Sequence, residues 1–284
     1  MATIIDGKET ARHVRAEVAG QVASLRERGI SVKLTVIQVG NDPASSIYVR
    51  NKERACTDTG IDSEIIHLDE TVTQDELLNE ISRLNGDDSV DGILVQLPLP
   101  AHLDEQTVKE AIDPRKDVDG FHPLNTGRLL AGEEALLPCT PAGIIRLLDE
   151  YGIPVEGSHC VVIGRSQIVG KPMAVLLLER NATVTVCHSR TRDLASYTRQ
   201  ADILISAVGR PKMVGAEHIK EGAVVIDVAI NRSDEGKLCG DVDFDAVAPL
   251  CTAITPVPGG VGPMTVAMLL NNCLFAAMRK AVAL

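Results

Sequence analysis

Along this chain, short runs of Val, Ile and Leu alternate with longer stretches in which apolar residues return every three or four positions. Runs of the first kind suit strands buried on both faces, and stretches of the second kind suit amphipathic helices. The pattern predicts strands over 33–39, 64–68 and 92–97, and helices over 9–28, 43–59, 73–85 and 105–111. A loop-rich stretch, 113–137, interrupts the alternation. After it come a helix over 140–151, strands over 159–163, 183–187, 202–206 and 223–228, a last strand near 252–255, and a helix over 265–282. Strands alternating with helices, without an internal repeat, predict an α/β fold with parallel sheets. Two domains are expected: an N-terminal α/β domain over 1–120, and a Rossmann-like, doubly wound domain over 140–264. The C-terminal helix, 265–284, is expected to return to the first domain and complete it.

Composition narrows the class. A chain of 284 residues can bury an ample core, and with no Trp and few other aromatics that core is aliphatic. A formal net charge of −11 argues against a nucleic-acid partner, which calls for a basic footprint. The seven cysteines never form a C-x-x-C pair and several lie in apolar runs, which suits reduced, packed thiols rather than disulfides or a metal site. No signal-peptide core or membrane-spanning run is read from the pattern, so a cytoplasmic location is expected.

Candidate chemistry sits at the ends of these elements. The strand at 159–163 runs into Gly164-Arg165-Ser166-Gln167-Ile168-Val169-Gly170 and then a helix, the unit that places a pyrophosphate on a helix N-terminus. Ser166 stands where the general dinucleotide pattern has its second glycine, and a plain tight turn remains an alternative. The next strand ends Cys187-His188-Ser189-Arg190, with no carboxylate to hold a ribose 2′-hydroxyl. A hydroxyl and a cation there suit a 2′-phosphate and favour NADP over NAD; the competing reading is an arginine on a solvated loop.

Asp42-Pro43 predicts an N-cap and a first helical residue, which puts Tyr48 and Lys52 on one face of the helix that follows. A partly buried lysine can lose its proton near neutral pH and serve acid–base chemistry, although a plain surface lysine is the commoner case. Gln96 falls at the carboxyl end of a predicted parallel strand, where open α/β sheets bind ligands. Either aspartate of Asp117-Val118-Asp119-Gly120 closes an Asx-turn or offers an acceptor to a heterocycle's N–H edge. Pro258-Gly259-Gly260-Val261-Gly262-Pro263-Met264-Thr265 is a shaped turn whose backbone could face a flat or anionic ligand.

Together these segments resemble the methylenetetrahydrofolate dehydrogenase/methenyltetrahydrofolate cyclohydrolase family. The resemblance is carried by Tyr48-Val49-Arg50-Asn51-Lys52, Gly92-Ile93-Leu94-Val95-Gln96-Leu97-Pro98-Leu99-Pro100, Lys116-Asp117-Val118-Asp119-Gly120-Phe121, the 164–170 turn and the 258–265 segment, all in the family's order. It implies oxidation of 5,10-methylenetetrahydrofolate with NADP⁺, then hydrolysis of the methenyl product to 10-formyltetrahydrofolate. It implies that Lys52 is the acid–base residue of hydrolysis and that Gln96 hydrogen-bonds it. Tyr48 then orients the folate, Asp119 holds the pterin N–H groups, and Pro258, Gly259 and Gly260 form a wall of the folate site. Gly164, Arg165, Ser166, Ser189 and Ile230 fall to the cofactor by the resemblance, Arg190 joins them from the strand-end pattern above, and a homodimer is implied. A dehydrogenase of this fold with little cyclohydrolase activity, or a non-catalytic folate- or nucleotide-binding protein, stands as the alternative.

Overall fold

The computed structural model describes residues 2–233 and 236–283. Its strands are β1 (Thr3–Ile4), β2 (Lys33–Val39), β3 (Asp62–Leu68), β4 (Gly92–Val95), β5 (His159–Ile163), β6 (Thr183–Cys187), β7 (Ile203–Ser206), β8 (Val224–Asp227), β9 (Asn231–Arg232), β10 (Leu238–Cys239) and β11 (Ala253–Ile254). Its α-helices are α1 (Gly7–Glu27), α2 (Pro43–Thr59), α3 (Gln74–Asn85), α4 (Glu105–Ala111), α5 (Pro123–Leu130), α6 (Cys139–Glu150), α7 (Gly170–Glu179), α8 (Leu194–Thr198), α9 (Phe244–Val247) and α10 (Val261–Ala283). The chain divides into two compact units, one of Met1–Ala11 with Thr140–Thr265, the other of Arg12–Cys139 with Val266–Leu284.

The unit containing Thr140–Thr265 is built on a six-stranded sheet in the order β1-β11-β8-β7-β5-β6, parallel at each paired edge. After β5 the chain lays β6 on one side and β7 on the other, so the strand order reverses at β5. Open α/β sheets bind ligands at such a reversal, beyond the carboxyl ends of the strands. The core includes Val161, Ile163, Leu204, Val225 and Ile254, from strands buried on both faces. The N-terminal segment, expected at the head of the first domain, instead adds β1 to this sheet. Thr3 N donates to Thr252 O at 2.8 Å and Ile5 N to Ile254 O at 2.9 Å. Two residues of strand carry no periodic signal, and only the free edge of β11 makes them a strand.

The other unit has a three-stranded parallel sheet, β3-β2-β4. Ile37, Val39, Leu77, Ile81, Leu84 and Ile93 anchor its core. Asp42 caps α2 by accepting from Ser45 N at 2.7 Å, and Gly60 ends the helix at a φ of 76°. β4 stops at Val95 rather than at the predicted residue 97, short of Pro98, which has no N–H to continue a ladder. The stretch read as loop contains α5, started by Pro123 and capped by His122 Nδ1. With Leu124 and Leu130 exposed, it has no continuous apolar stripe to announce it. The expectation of no membrane-length apolar run is corrected by α10. Val261–Val282 is long and apolar enough by length and composition alone, though half of its most apolar window is buried in the fold. Its Met264, Ala267, Leu269, Leu270, Cys273 and Leu274 are core residues.

Candidate functional site

Lys52 occupies a place that the helix would ordinarily give to an apolar residue. On α2, Ser45, Val49, Cys56 and Thr59 are buried, and position 52 completes their i, i+4, i+7, i+11, i+14 stripe. The stripe directs the Lys52 side chain inward, and its Nζ donates to Gln96 Oε1 at 2.9 Å. Gln96 follows β4, with its backbone N still bonded to Ile37 O at 2.8 Å, so the sheet itself fixes the amide. Tyr48, one turn earlier on α2, keeps about half of its surface exposed (50%), a platform on the same helix face.

The two aspartates of the 117–120 segment separate into different roles. Asp117 is buried and closes the turn: its Oδ2 accepts from His122 N at 2.8 Å and from Asn125 Nδ2 at 3.0 Å. Asp119 is left to face Lys52. Burial pushes the Asp119 carboxyl up to about 6; Lys52 opposes that rise, the neighbouring charge of Asp117 adds to it and Lys109 opposes it. Burial lowers the Lys52 amine from its ordinary value, and Asp119 pulls it part of the way back. A cavity of about 20 Å³, room for one water, lies beside Asp119 and is lined also by Leu97, Lys109 and Phe121. Burial also pushes Cys56 up to about 12 and Cys139 well above the ordinary thiol range, so both stay protonated. The amine and carboxyl can therefore exchange protons, and the amide and carboxylate oxygens can hold N–H groups, with no thiolate to compete.

In the other unit, β5 delivers Gly164 at the strand-order reversal with a φ of 132°. A Cβ on Gly164 would lie 2.5 Å from Ala207 O, and one on Gly170 would lie 2.3 Å from Gly164 O. Only glycines allow this turn to fold so tightly between β5 and α7. Ser166 Oγ accepts from Val169 N at 3.2 Å and Gly170 N at 3.3 Å, so the residue replacing a glycine anchors the helix start. Arg165 is exposed beside it. Ser189 and Arg190 are exposed just past β6, in a turn where His188 Nδ1 accepts from Arg190 N at 3.1 Å. Ile230, past β8, is 49% exposed.

The 258–260 segment proves to be an anchored turn. Gly7 N donates to Gly259 O at 2.9 Å, and a Cβ on Gly7 would fall 1.7 Å from Gly260 O. α10 begins at Val261, four residues before the predicted start, so Gly262 belongs to its first turn. Pro258 remains exposed. The structure thus brings Tyr48, Lys52, Gln96 and Asp119 into one unit, and assigns the 164–166, 189–190, 230 and 258–260 residues to the other. Asn125 and Lys109, which support Asp119 and its turn, escaped the sequence reading because neither carries a distinctive spacing.

Comparison with known proteins also divides the chain between residues 119 and 138, but it groups residues 5–11 and 266–281 the opposite way to the structural units. The family model described as tetrahydrofolate dehydrogenase/cyclohydrolase, catalytic domain, matches residues 5–119. The one described as the NAD(P)-binding domain of the same family matches residues 138–281. A curated relative from Agathobacter rectalis, "Bifunctional protein FolD", is 57% identical over 279 residues, which is 98% of this chain and 100% of the relative. The solved structure of the bifunctional enzyme FolD, methylenetetrahydrofolate dehydrogenase/cyclohydrolase, from Campylobacter jejuni superposes with a TM-score of 0.97 at 50% identity, covering 99% of this chain and 100% of that one. The Trypanosoma brucei methylenetetrahydrofolate dehydrogenase-cyclohydrolase, solved with NADP cofactor and inhibitor, gives 0.93 at 40% identity, covering 99% and 98%.

Proposed function

The chain belongs to the tetrahydrofolate dehydrogenase/cyclohydrolase family, and from that premise we propose how its own residues divide the work. It is a bifunctional enzyme that oxidises 5,10-methylenetetrahydrofolate with NADP⁺ and hydrolyses the 5,10-methenyl product to 10-formyltetrahydrofolate. NADP⁺, when bound, supplies the hydride acceptor. Gly164, Arg165 and Ser166 fit its pyrophosphate, because the close-packed turn opens at the reversal point of the sheet. Ser189 and Arg190 offer a hydroxyl and a cation for the 2′-phosphate, and Ile230 an apolar contact for the dinucleotide.

The Lys52–Gln96 hydrogen bond, with Asp119 beside it, is the observation that carries the hydrolytic reading. Lys52, its pKa depressed by burial, acts as a neutral amine: Nζ takes a proton from the water that attacks the methenyl carbon and returns one to the ring nitrogen as the C–N bond breaks. A cationic substrate depresses that pKa further. Gln96 holds Nζ in place, Asp119 accepts from the pterin N–H edge, and Tyr48 stacks on the folate. The family resemblance alone assigns Pro258, Gly259 and Gly260 a backbone contact with folate.

Lys52→Met tests this reading. Cyclohydrolase turnover should fall by roughly 10²-fold or more, the scale of a lost acid–base group. Methenyltetrahydrofolate should then accumulate, followed by its absorbance, while reduced cofactor still forms. Wild-type decay of methenyltetrahydrofolate in this variant would remove Lys52 from the mechanism.

We place the enzyme in the cytoplasm, in keeping with seven free cysteines. Its proposed protein partner is a second copy of itself. β6 is an outer strand of the six-stranded sheet with Val186 40% exposed, and Leu178 of α7 and Tyr197 of α8 are exposed on the flanking helices. An open apolar edge of this kind calls for a covering partner.

A further inference from the structure

Val118, the residue before Asp119, is fully buried, and its carbonyl oxygen accepts from two side chains at once. Asn272 Nδ2 donates to it at 2.8 Å and Cys139 Sγ at 3.2 Å. The same Asn272 nitrogen donates to Leu137 O, also at 2.8 Å. One amide on α10 therefore ties the Asp119 loop to the segment that enters α6.

On the other side of Asp119, Gly120 has a φ of 75°, and a Cβ there would lie 2.5 Å from Leu137 C and Pro138 N. Behind the loop, a Cβ on Gly92 would lie 2.6 Å from Val118 Cγ1 and 3.1 Å from Cys273 Sγ. Asp119 thus projects from a short backbone arch held at both feet, and Asn272 is a hydrogen-bonding clamp on it. Asn272 is itself only 5% exposed, in a helix whose neighbouring Leu269, Leu270, Cys273 and Leu274 are apolar core. A leucine would pack there but would take the Asn272 donor from the Val118 and Leu137 carbonyls, so the bonds to those carbonyls offset the amide's desolvation cost.

We propose that Asn272 is a positioning residue for folate: by fixing the Val118 and Leu137 carbonyls it sets where the Asp119 carboxylate stands relative to Lys52. The proposal rests on the reading of Asp119 and Lys52 given above. It links substrate hold to the proton chemistry, because the charge of Asp119 keeps the Lys52 amine from falling further. The other titratable groups acting on Lys52 are Cys56 and Cys139, both protonated thiols, and those acting on Asp119 are Asp117 and Lys109. Releasing the arch weakens the hold of Asp119 on Lys52, and the neutral amine then persists to lower pH.

The test is steady-state hydrolysis of methenyltetrahydrofolate by the full chain as wild type, Asn272→Leu, Asn272→Ser and Asp119→Asn, across pH. Asn272→Leu should raise KM for methenyltetrahydrofolate at least tenfold, change KM for NADP⁺ in the dehydrogenase assay less than twofold, and move the acidic limb of the hydrolysis profile to lower pH. Asn272→Ser, keeping one donor, should fall between it and wild type. A lowered melting temperature with folate KM and acidic limb at wild-type values would overturn the proposal, as would equal rises in both KM values. If Asn272→Leu does not fold, the same readouts on Asn272→Ser decide. Asp119→Asn separates the two levels: should it leave folate KM and the limb unmoved, the site reading itself fails and this proposal with it. Should it move both while the Asn272 variants move neither, only the proposal fails.

Discussion

Asp119 illustrates a conflict between stability and function at a single residue. Its carboxyl is raised to about 6 in the fold, against about 3.9 for an aspartate in an unfolded chain. A folded-state pKa above the unfolded one means that the folded protein binds the proton more tightly, so ionisation costs stability. The cost is complete above about pH 6 and disappears as pH falls toward about 4. Two pK units correspond to about 2–3 kcal/mol. Asp119→Asn should therefore stabilise the protein by that order at pH 7.5, with the gain shrinking toward pH 4.5, in urea melts followed by circular dichroism. A loss of stability at pH 7.5 would mean that Lys52 and the turn favour the charge more than burial opposes it. The pairing of Lys52 with Gln96 was anticipated from the resemblance, and the helical stripe explains it physically. Which of Asp117 and Asp119 closes the turn was not legible, since both have the same chemistry and only the position of Asn125 and the His122 amide decides between them.

Among the elements, the β5–turn–α7 unit is the one whose sequence most constrains its form. Gly170→Ala places a Cβ 2.3 Å from Gly164 O and 2.7 Å from Arg165 N, both backbone atoms that cannot swing aside. The helix start must shift, at about 1–3 kcal/mol for an overpacked site. Calorimetric titration should then show NADP⁺ affinity at least tenfold weaker. KM for methenyltetrahydrofolate hydrolysis should stay at the wild-type value, because Lys52 and Asp119 belong to the other unit. Unchanged NADP⁺ affinity would separate the turn from the cofactor. Long strands and helices such as β2 and α2 were legible from periodicity and, for the start of α2, from Asp42-Pro43; the Gly60 stop came only with the structure. β1, α5 and the β9–β10 ribbon, whose strands pair antiparallel, were not. They are two to eight residues long and owe their form to a neighbouring edge or a cap rather than to a repeating pattern.

At the scale of the whole molecule, β6 is an outer strand of the six-stranded sheet, at the opposite edge from β1. Val186→Lys puts a charge on that edge, the device by which natural sheets prevent edge pairing. Sedimentation velocity should find the wild type as a dimer and the variant predominantly as a monomer. A monomeric wild type, or a variant that stays dimeric, would move the self-association surface elsewhere or remove it. α10 is instructive at this scale. By composition its most apolar stretch could cross a bilayer, yet half of it is buried in the protein, where Asn272 finds the Val118 and Leu137 carbonyls that a lipid environment would not supply.

By itself, the sequence determined the parallel α/β class, the order of the main elements, the glycine turn after β5 and the family to which the chain belongs. Those features depend on local periodicity, on the few residues able to adopt special backbone angles, and on motifs contiguous in the chain. Tertiary structure alone decided that β1 joins the six-stranded sheet, that position 52 falls on a buried stripe beneath Gln96, and that Asp119 rather than Asp117 faces the lysine. It also decided that an asparagine more than 150 positions away holds the loop carrying that aspartate. Each of these depends on hydrogen bonds and desolvation between groups distant in sequence, which no local pattern encodes.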